Sequence, residues 1–193
     1  RMTAADVLRV CTVAGACGNG MLELTSRANL QLRGLSPASH PEALAALDGL
    51  IDADPALEGR RNILVAPLWQ AGDVTQRIAT DLAASLARLP DLPAKFGFAI
   101  DDGSSRVLAG DSADVRIERD ASGGLLVRPD GAKLGRPVAR GEAVATALAL
   151  ADWFVSAVGG GRKRMAAHLA AGAILPETLR GEAEVDLVSH SRR

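Results

Sequence analysis

Cysteine is scarce in this sequence: Cys11 and Cys17 are the only two among 193 residues, and two thiolates do not complete a four-ligand zinc or iron–sulfur site. A disulfide between them would need an oxidising compartment, so two reduced, partly buried thiols are expected. An excess of one charge is also lacking. Lys and Arg number 22 against 23 Asp and Glu, a net charge of -1, which offers no general attraction to nucleic acid or to anionic lipid. Any basic chemistry must therefore be local. Apolar runs approaching the roughly 18 residues of a membrane-spanning helix are missing too, and the amino end is not a lysine-led apolar leader with a small-residue cleavage site. The expectation is a soluble, cytoplasmic protein. What is abundant is apolar side chain: 48% of residues are hydrophobic, in a chain long enough for one large or two small cores without a metal or disulfide staple.

Val7, Leu8, Val10, Cys11 and Ala14 recur at helical spacing, and Gly15, Gly18 and Gly20 end the pattern. Residues 21–25 and 29–33 then alternate apolar and polar side chains as half-buried strands do, around Ser26-Arg27-Ala28. A helix over Pro41–Leu50 follows. Ile63 to Ala66 is a short apolar run stopped by Pro67, and Val74–Leu89 has the periodicity of an amphipathic helix. Lys95 to Ile100 reads as a strand, Asp101-Asp102-Gly103 as a turn, and residues 114–118 and 125–128 as a hairpin around Ser122-Gly123-Gly124. After a glycine- and proline-rich loop from Pro129 to Pro137, Glu142–Val158 is a long helix carrying Trp153 and Phe154, and Arg162–Ala171 a last one. These elements imply an α+β fold with domains over 1–89 and 90–180 and a disordered tail over 181–193.

Gly18-Asn19-Gly20 lacks the third glycine of a dinucleotide loop and follows a helix rather than a strand. His40, His168 and His190 suggest no nucleophile arrangement and are expected at the surface. The unusual feature is Thr25, Arg27, Asn29, Gln31 and Arg33 at every second position, hence on one face of the ribbon. A solvated outer face would explain them. A row of two guanidiniums and two amides uninterrupted by a carboxylate also suits the binding of carboxylates or small oxyanions.

Residues 18–35, GNGMLELTSRANLQLRGL, resemble the G-x-G-x-x-x-L-T-x-R-x-x-x-Q-x-x-G segment of the sulfite and nitrite reductase superfamily. Arg60-Arg61-Asn62-Ile63-Leu64-Val65 and Leu92-Pro93-Ala94-Lys95-Phe96 are similar to two further segments of that superfamily, in the same order. The resemblance extends over about residues 3 to 171. It implies a ferredoxin-like half-domain followed by a mixed α/β sulfite-reductase-type domain, with Arg27, Arg61 and Lys95 lining the tetrapyrrole and anion pocket and Asn29, Gln31 and Arg33 as neighbouring donors. Gly97 stands where the sulfite reductases have a second lysine. With Lys95 to Gly103 it resembles the precorrin-3B synthase family of aerobic cobalamin biosynthesis, which hydroxylates precorrin-3A and closes a lactone on it. For a complete enzyme the resemblance implies a 4Fe-4S cluster and an iron centre or sirohaem, held by a second, pseudo-symmetric half; this chain alone would bind no cofactor. The expected partners are a tetrapyrrole, precorrin or sirohaem, and that missing half or a second copy of the chain, with the helices from Glu142 to Ala171 presenting an apolar side to it. The catalytic residues stay unknown and no metal ligands are expected. A half-length sulfite or nitrite reductase-like domain, or a non-catalytic tetrapyrrole-binding or assembly module, remains open.

Overall fold

Helix α1 (Ala4–Cys17) starts at a reciprocal cap: the Thr3 hydroxyl accepts the Asp6 N–H at 3.2 Å and the Asp6 carboxylate accepts the Thr3 N–H at 2.7 Å, an arrangement worth about 1 kcal/mol. The computed structural model describes residues 2–26, 28–51, 54–103, 105–158 and 164–185. They fall into two units, Arg1–Gly59 and Arg60–Arg193.

In the first unit α1 is followed by an antiparallel ribbon of β1 (Leu22–Leu24) and β2 (Leu30–Leu32), registered Leu22 to Leu32 and Glu23 to Gln31, and by α2 (His40–Ala46). Period-two alternation sends Leu22, Leu30 and Leu32 inward, where they pack on Val10, Val13, Cys17, Ala43 and Leu47. The Arg9 guanidinium donates to the carbonyls of Ala46 and Asp48 at 2.6 and 2.9 Å, closing the carboxyl end of α2. Gly18-Asn19-Gly20 has a structural use. A Cβ on Gly18 would lie 2.5 Å from the Arg33 carbonyl oxygen, so the chain leaving α1 passes too close to the end of β2 for any side chain there. The short α3 (Pro55–Arg60) runs up to the boundary between the units.

The second unit is a six-stranded sheet in the order β3 (Ile63–Val65), β4 (Phe98–Asp101), β5 (Val115–Arg119), β6 (Leu125–Pro129), β7 (Leu134–Pro137) and β8 (Ala183–Glu184). β3, β4 and β5 are parallel neighbours and the remaining pairs are antiparallel. Helix α4 (Val74–Ala84) joins β3 to β4, and α5 (Ala143–Val158) packs on β5 and β6. Parallel strands need a crossover between them, usually a helix. That is why the chain divides at Gly59–Arg60 rather than at the expected residue 89: strand, crossover helix and strand are one folding unit.

Several expectations are corrected here. Asp101-Asp102 is no turn: Asp101 ends β4, and both side chains are buried. Part of the expected loop from Pro129 to Pro137 is β7, and residues 183–185 of the expected tail pair with their neighbours. The chain approaches β8 through a glycine, since a Cβ on Gly181 would overlap the backbone of Gly135 in β7. The apolar side of α5 is not left for a partner. Ala143, Ala147, Leu150, Ala151 and Phe154 are buried within the second unit, Phe154 against the Phe96 ring at 5.1 Å, and α5 rests on its own sheet. His168, on α6 (Met165–Ala170), is buried beside the rings of Trp153 and Phe154 rather than at the surface. His190 lies outside the described residues.

Candidate functional site

The residues expected to bind an anion divide between the two units. Arg27 lies outside the described residues. Around it the ribbon closes by a short loop in which Ala28 N–H donates to the Thr25 carbonyl at 3.1 Å and Thr25 N–H to the Asn29 carbonyl at 2.9 Å. Ala28 takes φ 55°, the left-handed position that completes a three-residue hairpin loop and that glycine normally fills. The hairpin loop is thus strained at Ala28. Asn29, Gln31 and Arg33 are exposed on one face, as alternation requires.

That face is not free of carboxylate. Glu23 sits opposite Gln31 on β1, and its Oε2 accepts the Arg33 Nε–H at 2.8 Å. The sequence row from Thr25 to Arg33 holds no acid, but hairpin register brings one in from the other strand, an arrangement that counting along the chain does not reveal. With the two side chains 49% and 51% exposed, such a pair is worth only about 0–1 kcal/mol. An incoming carboxylate on Arg33 would have to displace or share it.

Arg61 and Lys95 both belong to the second unit and sit at its amino-terminal strand ends, Arg61 just before β3 and Lys95 just before β4. The parallel register from Ile63 and Phe98 upward brings these ends side by side, and both residues are exposed. Asn62 clamps the two segments together. Its Nδ2 donates to the carbonyls of Ala94 and Phe96 at 3.0 and 3.2 Å, and its own carbonyl accepts the Phe98 N–H at 2.8 Å. On the far side the Gly97 N–H donates to Asp114 Oδ2 at 3.0 Å. Two cations are therefore presented from backbone braced on both sides.

Asp114 is fully buried, and its Oδ1 accepts the Arg164 Nε–H at 2.9 Å and the Met165 N–H at 2.8 Å. Arg164, at the start of α6, is thereby tied to the residue that precedes β5. Burial pushes the Asp101 carboxyl above its ordinary range, against the N–H donors of Leu108 and Val107 that favour its charged form.

The donor set does not fit an iron–sulfur cluster. Cys11 is exposed and Cys17 is buried in the core of the first unit, and among the described residues no three His, Cys, Asp or Glu side chains come together. Also among the described residues, no helix is long and apolar enough to cross a membrane.

The amino-terminal unit is thus a helix packed on a two-stranded ribbon, and the second unit carries two cations before neighbouring parallel strands; sequence comparison adds to this. Residues 1–50 match the nitrite/sulfite reductase ferredoxin-like half domain. A precorrin-3B synthase from Sinorhizobium sp is 36% identical over 125 residues, covering 61% of this chain and 26% of that protein. The chain is thus related to the nitrite/sulfite reductase-like proteins and to precorrin-3B synthase among them, and it spans about a quarter of the length of that relative.

Proposed function

We propose that this chain is the part of a precorrin-3B synthase-like oxidoreductase that holds the carboxylate-rich rim of a tetrapyrrole, through Arg27, Asn29, Gln31, Arg33, Arg61 and Lys95. The reaction served would be the hydroxylation and lactone closure of precorrin-3A. The observation that carries the proposal is that Arg61 and Lys95 precede the amino ends of two neighbouring parallel strands, in a chain 36% identical over 125 residues to a precorrin-3B synthase. The role is binding and charge stabilisation. A guanidinium stays protonated at working pH and an amide has no proton to trade, so none of these groups is suited to acid–base work except Lys95. Electron and oxygen chemistry would fall to a cluster and an iron centre whose ligands lie outside the described residues.

Fluorescence titration of the chain with uroporphyrin III, a macrocycle bearing carboxylates all round its rim, tests this. A charge-assisted bond contributes about 1.5–3 kcal/mol, so Lys95→Ala should weaken binding roughly ten- to a hundredfold with little change in melting temperature. Lys133→Ala, an exposed lysine in the turn between β6 and β7, should leave affinity unchanged. Equal affinity for wild type and Lys95→Ala would refute the assignment.

A further inference from the structure

The exposed face of the ribbon carries one side chain that opposes the others. Glu23 on β1 stands opposite Gln31 and diagonal to Arg33, and its Oε2 accepts both the Nε–H of Arg33, at 2.8 Å, and an Nη2–H of the same guanidinium. Those two N–H groups form one edge of the planar fork by which an arginine grips a carboxylate. Glu23 therefore occupies the place that a ligand's carboxylate would take on that edge.

A carboxylate arriving from solution must first release Glu23, so one ion pair is exchanged for another like it. The hairpin register holds Glu23 beside Arg33, which makes it a competitor at high effective concentration, whereas a free ion gives up translational freedom to bind. A single carboxylate gains nothing by the exchange. A ligand that is held at the same time by other donors of this face, the amides of the exposed Asn29 and Gln31, makes the exchange inside a complex already formed and loses far less freedom. Both members of the pair are half-exposed, so the pair is weak enough to be exchanged.

We propose that Glu23 is a specificity-determining residue of the ribbon face, an internal counter-ion that closes Arg33 to single carboxylates and yields it to a ligand bearing several. This rests on the reading of the ribbon as part of a binding face for a carboxylate-rich macrocycle, and adds to it a residue whose removal strengthens binding. A pair that served the fold alone would lose stability on removal and gain no affinity.

The test is Glu23→Gln, which keeps the length of the side chain and an acceptor but not the charge. In the uroporphyrin III titration the variant should bind about three- to tenfold more tightly than wild type, because the competing pair and a like charge beside the rim are both gone. Glu42→Gln, the same change of charge at exposed Glu42 on α2, should leave affinity unchanged. Acetate exchanged for chloride at constant ionic strength is the single-carboxylate probe: in ¹H–¹⁵N spectra the Arg33 Nε–H signal should shift in Glu23→Gln and stay in place in wild type. Equal affinity of wild type and Glu23→Gln for uroporphyrin III, or the same acetate response in both, would overturn the proposal and leave the macrocycle reading standing. Equal tightening by Glu42→Gln would also overturn it, since the effect would then be one of net charge. Uroporphyrin III bound by neither protein would overturn the macrocycle reading and this role with it.

Discussion

Glu118, in the middle of the sheet, is fully buried and surrounded by arginines. Its carboxylate accepts Arg106 Nε–H at 2.9 Å and Arg128 Nε–H and Nη2–H at 2.6 and 3.2 Å, while Arg116 Nη1 stands 4.0 Å away. Arg116 has its own partners in Asp130, at 2.6 Å, and the carbonyls of Leu108 and Asp111. Arg128 also reaches the Ala132 carbonyl at 2.8 Å. Replacing Glu118 by Gln keeps the shape and one acceptor but removes the negative charge that Arg106 and Arg128 share. Their side chains are 16% and 7% exposed, so water compensates little. Breaking a buried pair from one side costs about 3–5 kcal/mol, a large fraction of the 5–15 kcal/mol that holds a typical domain together. At about 2–4 °C per kcal/mol for a chain of this size, the melting point should fall by roughly 6–20 °C. Urea unfolding followed by tryptophan fluorescence isolates the effect, because both tryptophans, Trp69 and Trp153, lie in the second unit. A loss below about 1 kcal/mol would refute the reasoning and mean that main-chain carbonyls suffice to hold the arginines.

Two smaller changes follow from backbone and hydrogen-bond geometry. Ala28→Gly relieves a left-handed residue that costs about 1–2 kcal/mol with a Cβ, so the first unit should gain stability, less the entropy that glycine loses; far-UV circular dichroism in urea would show a higher midpoint, and an unchanged or lower one would deny the strain. Asp120 is held below the ordinary carboxylate value of 3.8 by the Ser122 hydroxyl and then by the N–H groups of Gly124, Ser122 and Gly123. Its contribution is therefore complete above that value and lost as pH falls through the lower folded one: Asp120→Ala should melt below wild type at neutral pH, and the gap should close in acid, whereas a pH-independent gap would remove the ionised carboxylate from the account.

Elements set by local chemistry were legible in the sequence. Thr3 with Asp6 starts α1, the glycines after Cys17 end it, and Ser122-Gly123-Gly124 turns β5 into β6, with Gly123 at φ 85°. What local pattern hides is any partner distant in the chain. Asp101 and Asp102 look like turn residues until Leu108 and Val107 N–H groups and the Thr75 hydroxyl are brought to them. β7 alternates poorly because Gly135 faces Leu126, whose side chain fills the space of a Cβ there. His168 has the composition of a surface residue on a short helix, and only tertiary packing sets it among aromatic rings. The candidate site was legible as a set of cations, and its brace was not: Asn62 and Asp114 act across 32 and 17 residues of chain, respectively.

That brace also bears on how Gly97 should be understood. The resemblance to the sulfite reductases puts a second lysine at this place, and its absence invites an explanation from the ligand. Packing supplies one from the protein itself. A Cβ on Gly97 would stand 3.1 Å from the Asn62 carbonyl oxygen and 3.4 Å from its Cβ, while the Gly97 N–H is tied to Asp114 behind it. Asn62 in turn must stay close, since its amide holds the loop that carries Lys95 through two carbonyls. The close approach that fixes one cation at the strand end is thus the same contact that crowds a side chain two residues later. Packing alone thus accounts for the glycine between Phe96 and Phe98.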